Sequence, residues 1–226
     1  MSIVIDYQPV DDGITGLPSV PVSDIVARAG NMLLDDAHVR WGVPEIIRWI
    51  NEAMGAIAHL RPDAFAHTGV MTLVAGTYQS LPNGSMLLLD VTRNIGADGA
   101  TPGRAIRTTD RKSLDDANPD WHGLPQSGTI RHFMHDPRTP KAFYVYPPAL
   151  ASTKIEIKHV VLPAEVVAET DVLPIGLEYI GPVVNYVCYR CNLKDSEFAN
   201  AQVGSLFYQA FKSSLGLSDA SAAAAA

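Results

Sequence analysis

Trp41-Gly42-Val43-Pro44-Glu45-Ile46-Ile47-Arg48-Trp49-Ile50-Asn51-Glu52-Ala53-Met54-Gly55-Ala56-Ile57-Ala58-His59-Leu60-Arg61-Pro62-Asp63 is the stretch on which the fold turns. Ile46, Ile47, Ile50, Ala53, Met54, Ile57 and Ala58 recur at helical spacing, while Arg48, Asn51 and Glu52 fall on the other side. Pro44 suits the first helical position, where its missing N–H has no acceptor to lose, and Glu45 follows where the helix dipole favours an acid. Arg61-Pro62-Asp63 ends the pattern. A helix with one apolar face must bury it, so the flanking segments decide against what.

On the N-terminal side, a second helix is expected from an N-cap at Ser23, with Ile25, Ala29, Met32 and Leu33 on one stripe and its end at Asp35-Asp36. Residues 1–21 carry Asp11-Asp12-Gly13, Gly16, Pro18 and Pro21 without a sustained period, and read as an extended arm of the kind that reaches a neighbouring subunit. On the C-terminal side the period shifts toward two from about Thr68 to Leu162, with turns at Ala75-Gly76, Pro82-Asn83-Gly84, Gly96, Asp98-Gly99 and Pro102-Gly103. The plainest strand is 154–161. There Ile155, Ile157, His159 and Val161 share a buried phase, and Lys154, Glu156 and Lys158 a wet one. Phe143–Tyr146, before Pro147-Pro148, reads as another strand, and Asp110–Ala117 as a short helix between strands.

After Pro174 the helical period returns in Ile180, Val183, Val184, Val187, Cys188 and Cys191, with Pro182 expected to kink or restart the helix. A last helix is expected over 196–215, turning Phe198, Val203, Leu206, Phe207, Ala210 and Phe211 inward, before an Ala/Ser-rich tail at 217–226. The pattern predicts an α+β protein. Two N-terminal and two C-terminal helices (22–66 and 174–216) form a bundle, and a β-rich domain (67–173) is inserted between them. No period of 20–50 residues marks a repeat architecture.

A net charge of −7, with no run of Lys or Arg, disfavours specific nucleic-acid binding, though an acidic wall suits a conduit through which DNA passes unheld. No stretch of eighteen apolar residues argues for a membrane span, and the start lacks a secretory pattern; a protein that is soluble and cytoplasmic when made is expected. Charged residues are only 18% of the chain, which leaves surface for interfaces. Cys188 and Cys191, three apart within one helical pattern, are poorly placed for a disulfide and read as buried thiols.

Candidate chemistry is sparse. His132-Phe133-Met134-His135-Asp136 has donors for part of a metal site, but on a strand the two imidazoles face opposite ways, and a surface loop entering the Asp136-Pro137 turn is favoured. Asp120-Trp121-His122 offers a carboxylate and an imidazole, yet side chains at successive positions diverge and no activated nucleophile accompanies them, so Trp121 is expected to pack into the β domain. His159 in its buried phase reads as a hydrogen-bonded core group. The turn glycines form no nucleotide-binding pattern. No catalytic residue, metal or cofactor is expected.

Six blocks, in this order and spacing, resemble the head-to-tail adaptor (connector) proteins of tailed bacteriophages. They are Trp41–Asp63; T-L-V-A-G-T-Y-Q-S-L-P at Thr72–Pro82; G-R-A-I-R at Gly103–Arg107; P-D-W-H at Pro119–His122; F-Y-V-Y-P-P at Phe143–Pro148; and Y-R-C-N-L-K-D at Tyr189–Asp195. The resemblance spans about Val22 to Leu215. It implies a structural virion protein at the head–tail junction: a homo-oligomeric ring, commonly twelvefold, seated on the portal protein, opening onto tail or nozzle proteins, and passing double-stranded DNA without specific binding. A tail-tube, terminator or other minor virion protein is the nearest alternative, and a hydrolase using His122 or the His132 and His135 pair the more distant one. For such a ring, Phe207, Tyr208, Phe211, Leu215 and Leu217 are candidates for a portal or subunit interface, with bundle core as the competing role for Phe207 and Phe211. Glu165, Glu169 and Asp171 are candidates for a channel wall, with an ordinary solvated loop as the competing reading.

Overall fold

In a computed structural model of the chain, which describes residues 8–9, 20–194 and 199–217, the apolar stripe of the opening stretch lies in an 18-residue helix with every one of its seven positions buried. The elements in chain order begin with β1 (Gln8–Pro9), β2 (Val20–Pro21), α1 (Val22–Leu33) and α2 (Val43–Leu60). There follow β3 (Ala66–Thr72), β4 (Gly76–Ser80), β5 (Ser85–Ile95), β6 (Pro102–Ala105), β7 (Arg107–Thr108) and α3 (Arg111–Ala117). The chain continues through β8 (His132–His135), β9 (Ala142–Ala149), β10 (Lys154–Val161), β11 (Val172–Leu173), α4 (Ile180–Leu193) and α5 (Ala201–Ser214). This is a mixed α+β protein. It divides into two compact units, one holding β1 and Ala66–Leu162, the other the segments on either side.

The β-rich unit has two sheets. One runs β1-β3-β10-β5-β6, all antiparallel; the other runs β4-β9-β8-β7, with only β7 and β8 parallel. Residues of both sheets, among them Met71, Val91, Phe133, Phe143, Ile155 and Ile157, share one apolar core. β10 lies centrally, and its expected wet face is largely covered: Glu156 and Val160 are buried beside Ile155, Ile157 and His159, and only Lys158 is exposed. Three register shifts against β5 break the strict alternation, which is why the period-two reading fails on that face. β9 continues through Pro147 and Pro148 rather than ending before them. Pairing with β8 ends at Tyr146, and a register shift opposite β4 spans the prolines, so no ladder donor is missed there.

The helical unit contains α1, α2, α4 and α5 with the β2–β11 ribbon. Helix α1 begins one residue ahead of Ser23, which is not its cap: the Val22 and Ser23 amides donate to the carbonyls of Asp171 and Glu169 at 2.8 and 3.0 Å, so backbone replaces a side-chain cap. It ends at Leu33. Met32 is exposed, and Val22, Val26 and Gly30 join Ile25 and Ala29 on the buried stripe. The connection to α2 is set by Asp35, whose carboxylate accepts from the amides of Val39, Arg40 and Trp41 at 3.0–3.1 Å. Burial opposes ionisation of Asp35, yet those three donors outweigh it and hold its carboxyl below the ordinary value. Pro44 is the second residue of α2. Trp41 reaches across to donate its indole N–H to the Cys191 carbonyl of α4 at 3.1 Å.

Pro182 does not kink α4. It sits in the first turn, where its missing N–H has no intrahelical acceptor, and a 3-10 turn at Leu177–Tyr179 leads in. The boundary expected at residue 173 falls at 162, because residues 163–173 pack with the helices through β11 and the 169–171 carbonyls. Helix α5 begins at Ala201, with the Asn200 side chain accepting from the Val203 amide. Phe198 and the start expected at Ser196 lie outside the described residues, as does most of the N-terminal arm and the tail from 218.

Candidate functional site

Helix α5 packs chiefly on α4, with Gly204 buried against Asn192 and Leu193. With one helix to lean on, only a narrow stripe is buried. Phe211 and Leu215 are core residues, Phe211 meeting the Tyr186 ring edge-on at 5.2 Å. Leu206 and Ala210, expected inward, are exposed, Leu206 at 64%. Phe207 and Leu217 are half-buried, and Tyr208 is partly exposed with its ring 4.8 Å from Tyr189. Of the five interface candidates, therefore, Phe207, Tyr208 and Leu217 present surface, and Phe211 and Leu215 do not. The helix closes with Gly216 at φ 74°; its amide donates to Ser213 and that of Leu217 to Lys212, while Arg61 Nη1 bonds the Leu215 carbonyl at 2.7 Å.

Among the acidic candidates, Glu165 and Glu169 are exposed. Asp171 is occupied locally: its Oδ2 accepts from the amides of Val167 and Ala168 at 2.7 and 2.9 Å, which holds its carboxyl below the ordinary value. Val166, just before, is tied to α2 through Asn51.

The candidate histidines His122, His132 and His135 fall on two different elements. His132 and His135 lie on strand β8, not in a surface loop, and are half-buried. Trp121 is fully buried in the β-rich unit and donates to Asp115 Oδ1 at 2.7 Å. Its neighbour His122 does not diverge from it: a 3-10 turn at Trp121–Gly123 stacks the two rings at 3.8 Å, and His122 Nδ1 lies 2.8 Å from Thr77 Oγ1. Among the described residues no three His, Cys, Asp or Glu side chains cluster as a metal site would require. Both cysteines are free and buried; burial pushes the Cys188 thiol up to about 12 and raises that of Cys191 as well.

The described residues also form a concavity in each unit. The helical unit has an apolar groove of about 370 Å³ beside Met32, Ile180 and Val184. The β-rich unit has a cavity of about 600 Å³ beside α3, β8 and β9, where Arg111, Lys112 and Arg138 gather with Tyr78, Tyr144 and His135. Sequence reasoning missed this cluster, because Arg111 and Lys112 open α3 while Arg138 lies in the β8–β9 turn, 26 residues after Lys112, and the three form no run.

Residues 20–226 match the family model described as SU10 adaptor protein. The chain belongs to this family of phage adaptors. The adaptor match takes in every element of the helical unit and all but β1 of the β-rich unit, so both belong to the family's own fold. No curated protein matches the chain. Among the described residues of this adaptor, no helix is long and apolar enough to cross a membrane.

Proposed function

We propose that the chain is a structural, non-catalytic virion subunit that assembles into a ring between the portal and the tail of a phage, through which the genome passes. The match to an adaptor family over residues 20–226 carries this reading. An adaptor joins two assemblies, and a ring of identical subunits with heterologous contacts supplies a broad face to each. The helical bundle, with the β-rich unit inserted between its helix pairs, gives each copy two chemically different surfaces for its two neighbours. The net charge of −7 keeps passing duplex DNA from being held through its phosphates. Twelve copies is the expected ring size, the head–tail junction its place, and the host cytoplasm the place of assembly.

The portal-facing surface is proposed to be the outer flank of α5, with Leu206, Phe207, Tyr208 and Leu217, continued by the tail from residue 218. A truncation that tests this must start at 218, since removing 213–217 would take away the buried Leu215 and the helix end.

Native mass spectrometry of the full chain, alone and with the portal ring of its own phage, tests the whole reading. A closed ring on the portal is expected. A chain that stays monomeric with portal but assembles on tail-tube protein would make it a tail subunit instead.

A further inference from the structure

The cavity of the β-rich unit concentrates positive charge in an acidic chain. Lys112 and Arg138 are exposed and, among the described residues, enter no ion pair; Arg111 lies 3.6 Å from Asp115 and over the Tyr144 ring at 5.6 Å. Two acids also line the cavity, Asp110, whose Oδ2 accepts from the Ser113 amide, and Asp136, whose Oδ1 accepts from the Arg138 amide, and both stay charged, so the three cations outnumber them by one. His135 Nε2 is buried there without a hydrogen-bond partner. At about 600 Å³ the space is within the range of pockets that enclose a ligand, and Tyr78 and Tyr144 give it aromatic surface.

The helical unit carries a projection of the opposite kind. Val166 is buried and bonded twice to Asn51, Asp171 accepts the next two amides, and the Glu169 and Asp171 carbonyls cap α1. Thus fixed at both ends, the turn presents Val167 at 80% exposure between Glu165 and Glu169, which are exposed and enter no ion pair among the described residues.

We infer that the cation-lined cavity of one copy receives the Glu165–Glu169 turn of the next copy in the ring. The two carboxylates meet Lys112 and Arg138, and the Val167 side chain covers the tyrosine surface. The inference rests on the ring reading and gives it what a heterologous contact requires, two non-identical patches on every subunit. Charge complementarity selects the partner: the cavity pairs cations with apolar surface, a combination that an acid-flanked valine matches and a phosphate backbone does not.

The test uses full-length chains with the portal ring, read by native mass spectrometry. One variant reverses the cavity (Lys112→Glu with Arg138→Glu), a second reverses the turn (Glu165→Lys with Glu169→Lys), and a third carries all four changes. Every substituted side chain is exposed, and unchanged thermal melting verifies folding. Each two-site variant alone is expected to lose ring by roughly tenfold or more. The four-site variant, and an equimolar mixture of the two-site variants, should recover it, because either arrangement sets opposite charges face to face again. Two-site variants that assemble like the parent overturn the contact and leave the ring standing; so does a loss that the four-site variant fails to recover. A parent chain that never forms a ring overturns both readings. Weakened duplex-DNA retention by the cavity variant, with ring formation intact, would assign the cavity to phosphate and overturn the contact.

Discussion

Asn51 and Val166 are bonded to each other twice, the Asn51 amide nitrogen donating to the Val166 carbonyl at 2.8 Å and the Val166 amide donating to Asn51 Oδ1 at 2.9 Å. One side chain on the polar side of α2 thus reproduces a strand-like pair with a segment that has no regular structure. Asn51→Ala removes both bonds and leaves two backbone groups to find water. It should cost about 1–3 kcal/mol in urea unfolding and speed proteolysis within 163–171 first, since the segment loses its tie before the helices lose theirs.

In the β-rich unit the corresponding polar anchor is Glu156. Its carboxylate accepts from Arg93 Nε and Nη2 at 3.1 and 2.7 Å and from Thr92 Oγ1 at 2.9 Å, with the Glu156 side chain 11% exposed and that of Arg93 42%. Arg93→Leu strands the carboxylate and should destabilise by about 1–2 kcal/mol, less than for a fully buried pair because Arg93 already faces water. Adding Glu156→Leu should return much of that loss, and a double variant no better than the single would show that packing, not charge, dominates there.

These two anchors mark the limit of what the sequence displays. The α2 stripe was legible because seven apolar residues repeat on one helix, and burial of such a stripe needs no knowledge of the partner. Glu156 reads as a wet-face residue because alternation says nothing of a bulged central strand with an arginine beside it. Leu206 and Ala210 read as inward because periodicity gives an apolar side but not its width, and α5 packs chiefly on α4, whereas α4 packs on α1, α2 and α5. The cavity cluster was illegible for a plainer reason: Lys112 and Arg138 become neighbours only when α3 folds beside the β8–β9 turn.

His159 makes stability depend on acid. Burial, then repulsion from His67, pushes it down to about 4 from an ordinary 6.5, while Ser85 Oγ lies 2.8 Å from its Nδ1. The unfolded chain takes up this proton at higher pH than the folded one. The contribution is therefore complete above about pH 6.5 and falls away as pH drops toward about 4, on the order of 3 kcal/mol in all. Urea midpoints measured across that window should decline for the parent chain. His159→Gln should start lower and decline less, and equal slopes would locate the acid sensitivity elsewhere.

Cys188 and Cys191 should be inert while the fold holds. Both are buried in α4 with thiols raised by burial, Cys188 up to about 12, so almost no thiolate forms near neutrality. Maleimide labelling is expected to be negligible in the native chain and to reach both residues in denaturant. Rapid native labelling would mean that α4 opens locally.

Helix α5 separates stability from assembly within two turns. Phe211 is fully buried against Tyr186, so Phe211→Ala should cost about 3–5 kcal/mol and lower the melting temperature by on the order of 10 °C. Leu206, five residues earlier and 64% exposed, contributes little to the core. Leu206→Glu should leave melting nearly unchanged, yet it places a charge in the centre of the proposed portal-facing flank, where an unpaired carboxylate would be desolvated on docking. Portal binding should then fall roughly tenfold or more with the fold intact. Undiminished binding by Leu206→Glu would move the portal contact off α5, since no substitution at the buried Phe211 can distinguish a lost contact from a lost fold.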